Sequence, residues 1–197
     1  MIGLRRLDNI QFCIKSILEE GIPGDFIETG VWRGGATIFM KGCLCAYAAA
    51  GERLIWVCDS FEGLPRPNPD LHPADAIEDH SKVRFLAVSQ EEVQENFRRY
   101  NLLDEKVRFL KGWFKDTLPD LKTRTWSLMR LDGDLYESTM NALDNLYDGL
   151  SPGGYVIVDD YGCLECCREA VSDFRAKRNI SSPIVEIDWT GVYWRKN

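Results

Sequence analysis

Along the chain, short apolar runs alternate with longer stretches in which apolar positions recur at helical spacing. "DFIETG", "RLIWVCD", "KVRFLKG", "WSLMRLDGD" and "YVIVDDY" read as buried strands, each followed by helix-like sequence. Residues 34–50 are rich in Ala, Cys and Leu, 90–100 is "QEEVQENFRRY", and 137–150 is "ESTMNALDNLYDGL" before "SPGG" stops it. Strand alternating with helix predicts a parallel sheet. After the fifth run comes a helix with Ala170, Val171 and Phe174 as its apolar positions, then "PIVEID" and "VYWRKN" around the turn "WTG". Two strands so close must pair antiparallel. The expectation is a single α/β domain of Rossmann-like type over 1–197, with a seven-stranded, mostly parallel sheet, an antiparallel last strand and helices on both faces. Residues 62–88 are the least regular segment, rich in Pro and Asp near their start, and suit a lid or substrate loop.

Composition narrows the class. With 197 residues, 45% apolar and 28% charged, the chain suits one substantial core. No apolar stretch approaches the roughly 20 residues of a membrane span, and "MIGLRRLDN" lacks the apolar segment of a signal peptide, so a cytoplasmic protein without a membrane partner is expected. Seven cysteines, with Cys43, Cys45 and Cys58 inside apolar segments, fit reduced thiols better than a disulfide framework. "CLECC" holds a C-x-x-C spacing but no second pair accompanies it, which argues against zinc. A formal charge of −7 disfavours a nucleic-acid partner. His72 and His80 are the two histidines, and without a G-x-S-x-G element a hydrolase triad has little to draw on.

In such sheets ligands bind beyond the carboxyl ends of the strands, where strand order reverses. Those ends carry Glu28, Asp59, Gly112, Asp132 with Asp134, and Asp159 with Asp160. In "FIETGVWRGG", Gly30 and Gly34 permit a tight turn at a helix N-terminus, in an E-x-G-x-x-x-G spacing that is not the dinucleotide G-x-G-x-x-G. Asp59 ends the second strand, where a carboxylate can accept both ribose hydroxyls; its plain alternative is a helix cap. Turn and acid together point to a nucleoside ligand. Trp113, after Gly112, could cover an adenine ring or be a core tryptophan.

Asp132 and Asp134 end one strand, and Asp159 and Asp160 end the strand expected beside it. Carboxylates converging in one cleft cannot all remain ionised without a compensating charge, and a divalent cation supplies it. Oxygen ligands favour Mg²⁺, with Mn²⁺ or Ca²⁺ as alternatives. Helix capping would explain one acid per strand but not two.

A seven-stranded sheet with a reversed last strand is the arrangement of S-adenosylmethionine (SAM) dependent class I methyltransferases. "MIGLRRLDNIQFCI", "GDFIETGVWRGGATIFM", "CDSFEGLP", "ENFRRYNLLDEKVRFLKGWFKDTLP", "RLDGDLYEST" and "GGYVIVDDYG" together resemble the macrocin O-methyltransferase (TylF) family over nearly the whole chain. The resemblance implies SAM bound by Glu28, Thr29, Gly30, Val31, Trp32, Asp59, Ser60 and the Gly112 turn, and Mg²⁺ held by Asp132, Asp159 and Asp160. It implies methylation of a hydroxyl on a small natural product, a sugar or other vicinal diol or phenol. Asp134 is the candidate base, with Asp132 the alternative if it serves both metal and proton. Relatives carry a further N-terminal segment before "MIGLRRLDN", so the chain is expected to be an excised domain, or a short form whose site a second copy or neighbouring domain completes. The competing expectations are a non-catalytic SAM or nucleotide-binding module of a synthase, and an NAD-dependent oxidoreductase, which the glycine spacing disfavours.

Overall fold

The computed structural model describes residues 2–47, 53–76 and 79–197. Strands β1 (Asp25–Thr29), β2 (Ile55–Asp59), β3 (Val107–Lys111), β4 (Trp126–Leu131) and β5 (Leu150–Val158) pair in parallel. β6 (Val185–Glu186) is a short outer edge, and β7 (Val192–Arg195) inserts antiparallel between β5 and β6. The order is therefore β3-β2-β1-β4-β5-β7-β6. It reverses between β1 and β4, which makes that crevice the place for a ligand.

Side chains alternate across the sheet, so each strand supplies two cores. On one face α1 (Leu4–Glu19) and α2 (Gly35–Ala46) bury Ile10, Ile14, Ile17, Met40 and Leu44 against Phe26, Ile55, Leu128 and Ile157. Val57 points to the same side, where α3 (Gln90–Arg99), capped by the Ser89 hydroxyl, packs Val93 and Phe97. On the other face α5 (Tyr136–Leu146) and α6 (Glu165–Lys177) bury Leu143, Leu146, Val171 and Phe174 against Ile27, Met129, Val156 and Trp194. The one-turn α4 (Phe114–Thr117) leads into Leu118 and Leu121 of the same core.

Three details depart from the sequence pattern. α1 belongs to no predicted strand-helix unit, although Ile10, Ile14 and Ile17 have helical spacing. "SPGG" lies inside β5 rather than ending a helix: α5 stops at Leu146, a 3-10 turn covers 147–149, and a register slip between Trp126↔Leu150 and Leu128↔Tyr155 absorbs the extra residues. Strand β4 stops at Leu131, and Asp134 has φ 59°, so Asp132 and Asp134 stand on a turn and not on a continued strand. Residues 48–50 of the predicted second helix, 77–78 of the predicted lid and Met1 lie outside the described residues. No described helix is long and apolar enough to cross a membrane.

Candidate active site

A cavity of about 390 Å³ opens at the β1/β4 crevice. Gly30 and Trp32 line it from the turn after β1, Asp59 and Ser60 from the end of β2, Gly112 and Trp113 from beyond β3, and Asp132 to Asp134 from beyond β4. The outer wall is Gly63 to Arg66 and Leu86 of the 62–88 segment, with Glu137, Ser138 and Asn141 of α5. That size lies within the roughly 300–1,000 Å³ of ordinary small-molecule sites. Of the residues expected around a cofactor, Glu28, Thr29 and Val31 do not line the cavity and are buried behind it.

Backbone geometry is unusual here. Gly30 has φ 83°, and a Cβ on it would lie 1.7 Å from the carbonyl oxygen of Asp132. Only glycine lets the β1 and β4 turns approach so closely. Trp32, Phe61 and Asp134 are non-glycine residues in the left-handed region, all at this rim, a conformation retained where surrounding contacts impose it. Asp59 supplies those contacts for Trp32 and Phe61. Its Oδ2 accepts from the Val31 amide at 2.7 Å and the Trp32 amide at 3.3 Å, and its Oδ1 accepts from the Phe61 amide at 2.8 Å. Burial outweighs these bonds and raises its pKa. Asp59 therefore shapes two turns and still faces the cavity.

The acid pairs do not cap the helices that follow. The first two amides of α5, those of Tyr136 and Glu137, donate to Asp75 of the 62–88 segment at 2.6 and 3.2 Å, and α6 begins without a side-chain cap. Instead one oxygen each of Asp132, Asp134 and Asp160 converge within 4.8 Å of one another. Asp160 Oδ2 is buried without a hydrogen-bond partner among the described residues. Burial, then Asp134 and Asp159, push the Asp160 carboxyl up to about 8. Asp132 is likewise raised well above the carboxylate range by enclosure, which outweighs the nearby Arg130. Asp159 stands apart from the three: Oδ1 accepts from Arg130 and Oδ2 from Arg6.

Two arginines escaped the motif reading. Arg130, 2% exposed in β4, contacts Glu28 and Asp159 and donates to Asp132 at 2.8 Å. Arg6 of α1 holds Asp159 and, at 2.9 Å, Asp188 of the β6–β7 turn. The signal for Arg130 was a lone charge inside an apolar strand, two residues before Asp132 on the same side.

Residues of the 62–88 segment pack against the rim through specific contacts. Besides the Asp75 bonds, His72 stacks on Tyr136 with ring centroids 5.3 Å apart, and the Trp32 indole donates to the Phe85 carbonyl at 3.0 Å. His80 Nδ1 comes within 3.9 Å of Asp134 Oδ2.

The order β3-β2-β1-β4-β5-β7-β6 with an antiparallel β7, together with the glycine turn and the acid after β2 at the cavity, is the class I methyltransferase arrangement. The chain belongs to the macrocin-O-methyltransferase (TylF) family, whose model matches residues 1–196, and as a member it is an O-methyltransferase that takes its methyl group from SAM. It is 54% identical over 198 residues to the 8-demethyl-8-(2,3-dimethoxy-alpha-L-rhamnosyl)-tetracenomycin-C 4'-O-methyltransferase of Streptomyces olivaceus, covering 99% of this chain and 74% of that one. It is 50% identical over 200 residues to the mycinamicin III 3''-O-methyltransferase of Micromonospora griseorubida, covering 100% of this chain and 78% of that one. Among solved structures, the O-methyltransferase NovP superposes with a TM-score of 0.96 at 50% identity, over 100% of this chain and 81% of that chain.

Proposed function

We propose that the protein methylates a hydroxyl of a sugar carried by a natural product, with SAM as donor and Mg²⁺ as its metal. The observation that carries this reading is the meeting, in one cavity, of the nucleoside-type rim with Asp132 and Asp134, whose carboxylates converge with that of Asp160 just behind the wall. The names of the relatives, which act on tetracenomycin and mycinamicin glycosides, support the acceptor class.

The residues fit a hard divalent cation. Asp160 Oδ2 lacks a hydrogen-bond partner among the described residues, and three carboxylate oxygens are within reach of one ion. Asp132 and Asp160 belong both to this group and to the set implied by resemblance. Asp134 completes it without breaking the Arg6 and Arg130 contacts that Asp159 makes. When bound, Mg²⁺ supplies positive charge that lowers the pKa of an acceptor hydroxyl and orients vicinal oxygens. The chain's own groups do the rest. Asp59 and Ser60 accept or donate to the ribose, Trp113 covers the base, and Gly30 and Gly112 give the ligand close access to backbone. The acceptor oxygen attacks the methyl carbon in line, the C–S bond breaks to leave neutral S-adenosylhomocysteine, and the hydroxyl proton passes to Asp134.

Incubation of glycosides bearing free vicinal diols with SAM and Mg²⁺, read by mass spectrometry, should show the gain of one methyl group. SAM binding without methyl gain on any sugar or phenol hydroxyl would leave a binding module instead. Asp59→Ala is expected to raise the apparent KM for SAM by roughly tenfold or more, through loss of ribose and turn contacts. An unchanged KM would contradict the ribose assignment.

A further inference from the structure

The residue the chemistry above does not use is Arg130, and its surroundings are built with more care than a structural ion pair requires. Apart from Ser127, the rest of β4 is apolar, with Trp126, Leu128, Met129 and Leu131 all buried. A buried guanidinium in such a strand is costly, and a well-packed apolar residue is often as stabilising or more so. Its neighbours explain its presence. Arg130 lies in register with Glu28 of β1, and its planar fork reaches acids on both sides of β4: Nη1 donates to Glu28 and Asp132, and Nη2 to Asp159. Of these acids Glu28 is 1% exposed and is held from behind by the Thr37 hydroxyl of α2, whereas the Asp132 side chain is 30% exposed. One fork thus ties the turn that carries Gly30 to the acid that faces the cavity.

We propose that Arg130 is a positioning residue for methyl transfer: it fixes the Asp132 carboxylate relative to the cofactor turn, and the shape of its fork, rather than its charge alone, performs that task. Glu28 and Thr37 serve the same end by holding the fork from the side away from the cavity. The inference rests on the methyltransferase reading, and its metal readout also rests on the proposed cation site. Lysine keeps the charge but offers a single ammonium that cannot make parallel bonds to acids on two flanking strands.

Arg130→Lys is therefore expected to lower kcat and weaken Mn²⁺ binding, followed by electron paramagnetic resonance without SAM, each by roughly 10- to 100-fold, as for other groups that orient metal ligands. SAM affinity should stay within about threefold, because Arg130 does not line the cavity. Glu28→Gln serves as the second variant, and decides the matter alone if the lysine protein does not fold. Without the Glu28 carboxylate the fork loses its anchor on the side away from the cavity and no longer fixes Asp132, so Mn²⁺ affinity and kcat should each fall about three- to tenfold, although Glu28 is remote from the cavity. Wild-type kcat and Mn²⁺ affinity in the folded variants would overturn the proposal, as would a parallel loss of SAM binding, Mn²⁺ binding and melting temperature. If the wild-type protein binds no Mn²⁺, the metal reading fails, and the split between kcat and SAM affinity still decides the role of Arg130.

Discussion

Asp132→Asn is expected to lower turnover by roughly a hundredfold or more, the range associated with removing a carboxylate that orients or activates the reacting oxygen. The same substitution should remove the effect of Mg²⁺ on stability. In the wild-type protein, Mg²⁺ at 100 times its Kd should contribute about 2.7 kcal/mol, or roughly 5–10 °C in Tm for a domain of this size. The gain should be larger at pH 8 than at pH 5. Asp160, its carboxyl pushed by burial and by Asp134 and Asp159 from the ordinary carboxylate range up to about 8, stabilises the metal-free fold in its neutral form at low pH and loses that contribution as pH rises toward 8. A cation takes the deprotonated form and offsets that loss. Differential scanning fluorimetry of wild type and variant, with Mg²⁺ or EDTA, reads both effects. Full turnover in EDTA, or an undiminished Mg²⁺ shift in Asp132→Asn, would remove Asp132 from the metal site.

Gly30→Ala should be the most damaging small substitution. A methyl group 1.7 Å from the Asp132 carbonyl oxygen forces the two turns apart, and the φ of 83° is unfavourable for any Cβ. Overpacking and backbone strain together should cost about 3 kcal/mol or more, which corresponds to a Tm loss of roughly 6–12 °C. SAM binding should be lost even below the new melting temperature, because Gly30 lines the cavity as well as the interface between turns. Retained SAM affinity, measured calorimetrically in the folded variant, would show that the turn tolerates widening. Gly34→Ala carries the same backbone strain, φ 80°, but its methyl would meet the buried Val93 side chain at 2.8 Å rather than the β4 turn, so it should destabilise the fold without forcing the two turns apart.

The sheet and the rim were readable because periodicity and strand ends are local. "LDGD" and "VDDYG" mark acids at strand ends whatever the rest of the chain does. What joins them is not local. Arg130 meets Glu28 across 102 residues and Asp159 across 29, and the choice of Asp134 rather than Asp159 to face Asp132 and Asp160 depends on a turn at Gly133 and on two arginines. α1 was missed because its partners, Phe26, Leu128 and Ile157, lie on three different strands and its Arg6 finds acids near the other end of the chain. Asp75 lies in a segment with no regular pattern, so nothing in its neighbours indicated a partner helix 61 residues away.

That last contact ties the 62–88 segment to the first turn of α5 with a measurable strength. Moving the 62–88 segment aside deprives the first turn of α5 of its carboxylate, a loss of about 1 kcal/mol from capping alone. The same turn presents Glu137 and Ser138 to the cavity. One carboxylate thus fastens the outer segment and steadies the cavity wall beside it, so any displacement of Asp75 loosens both together.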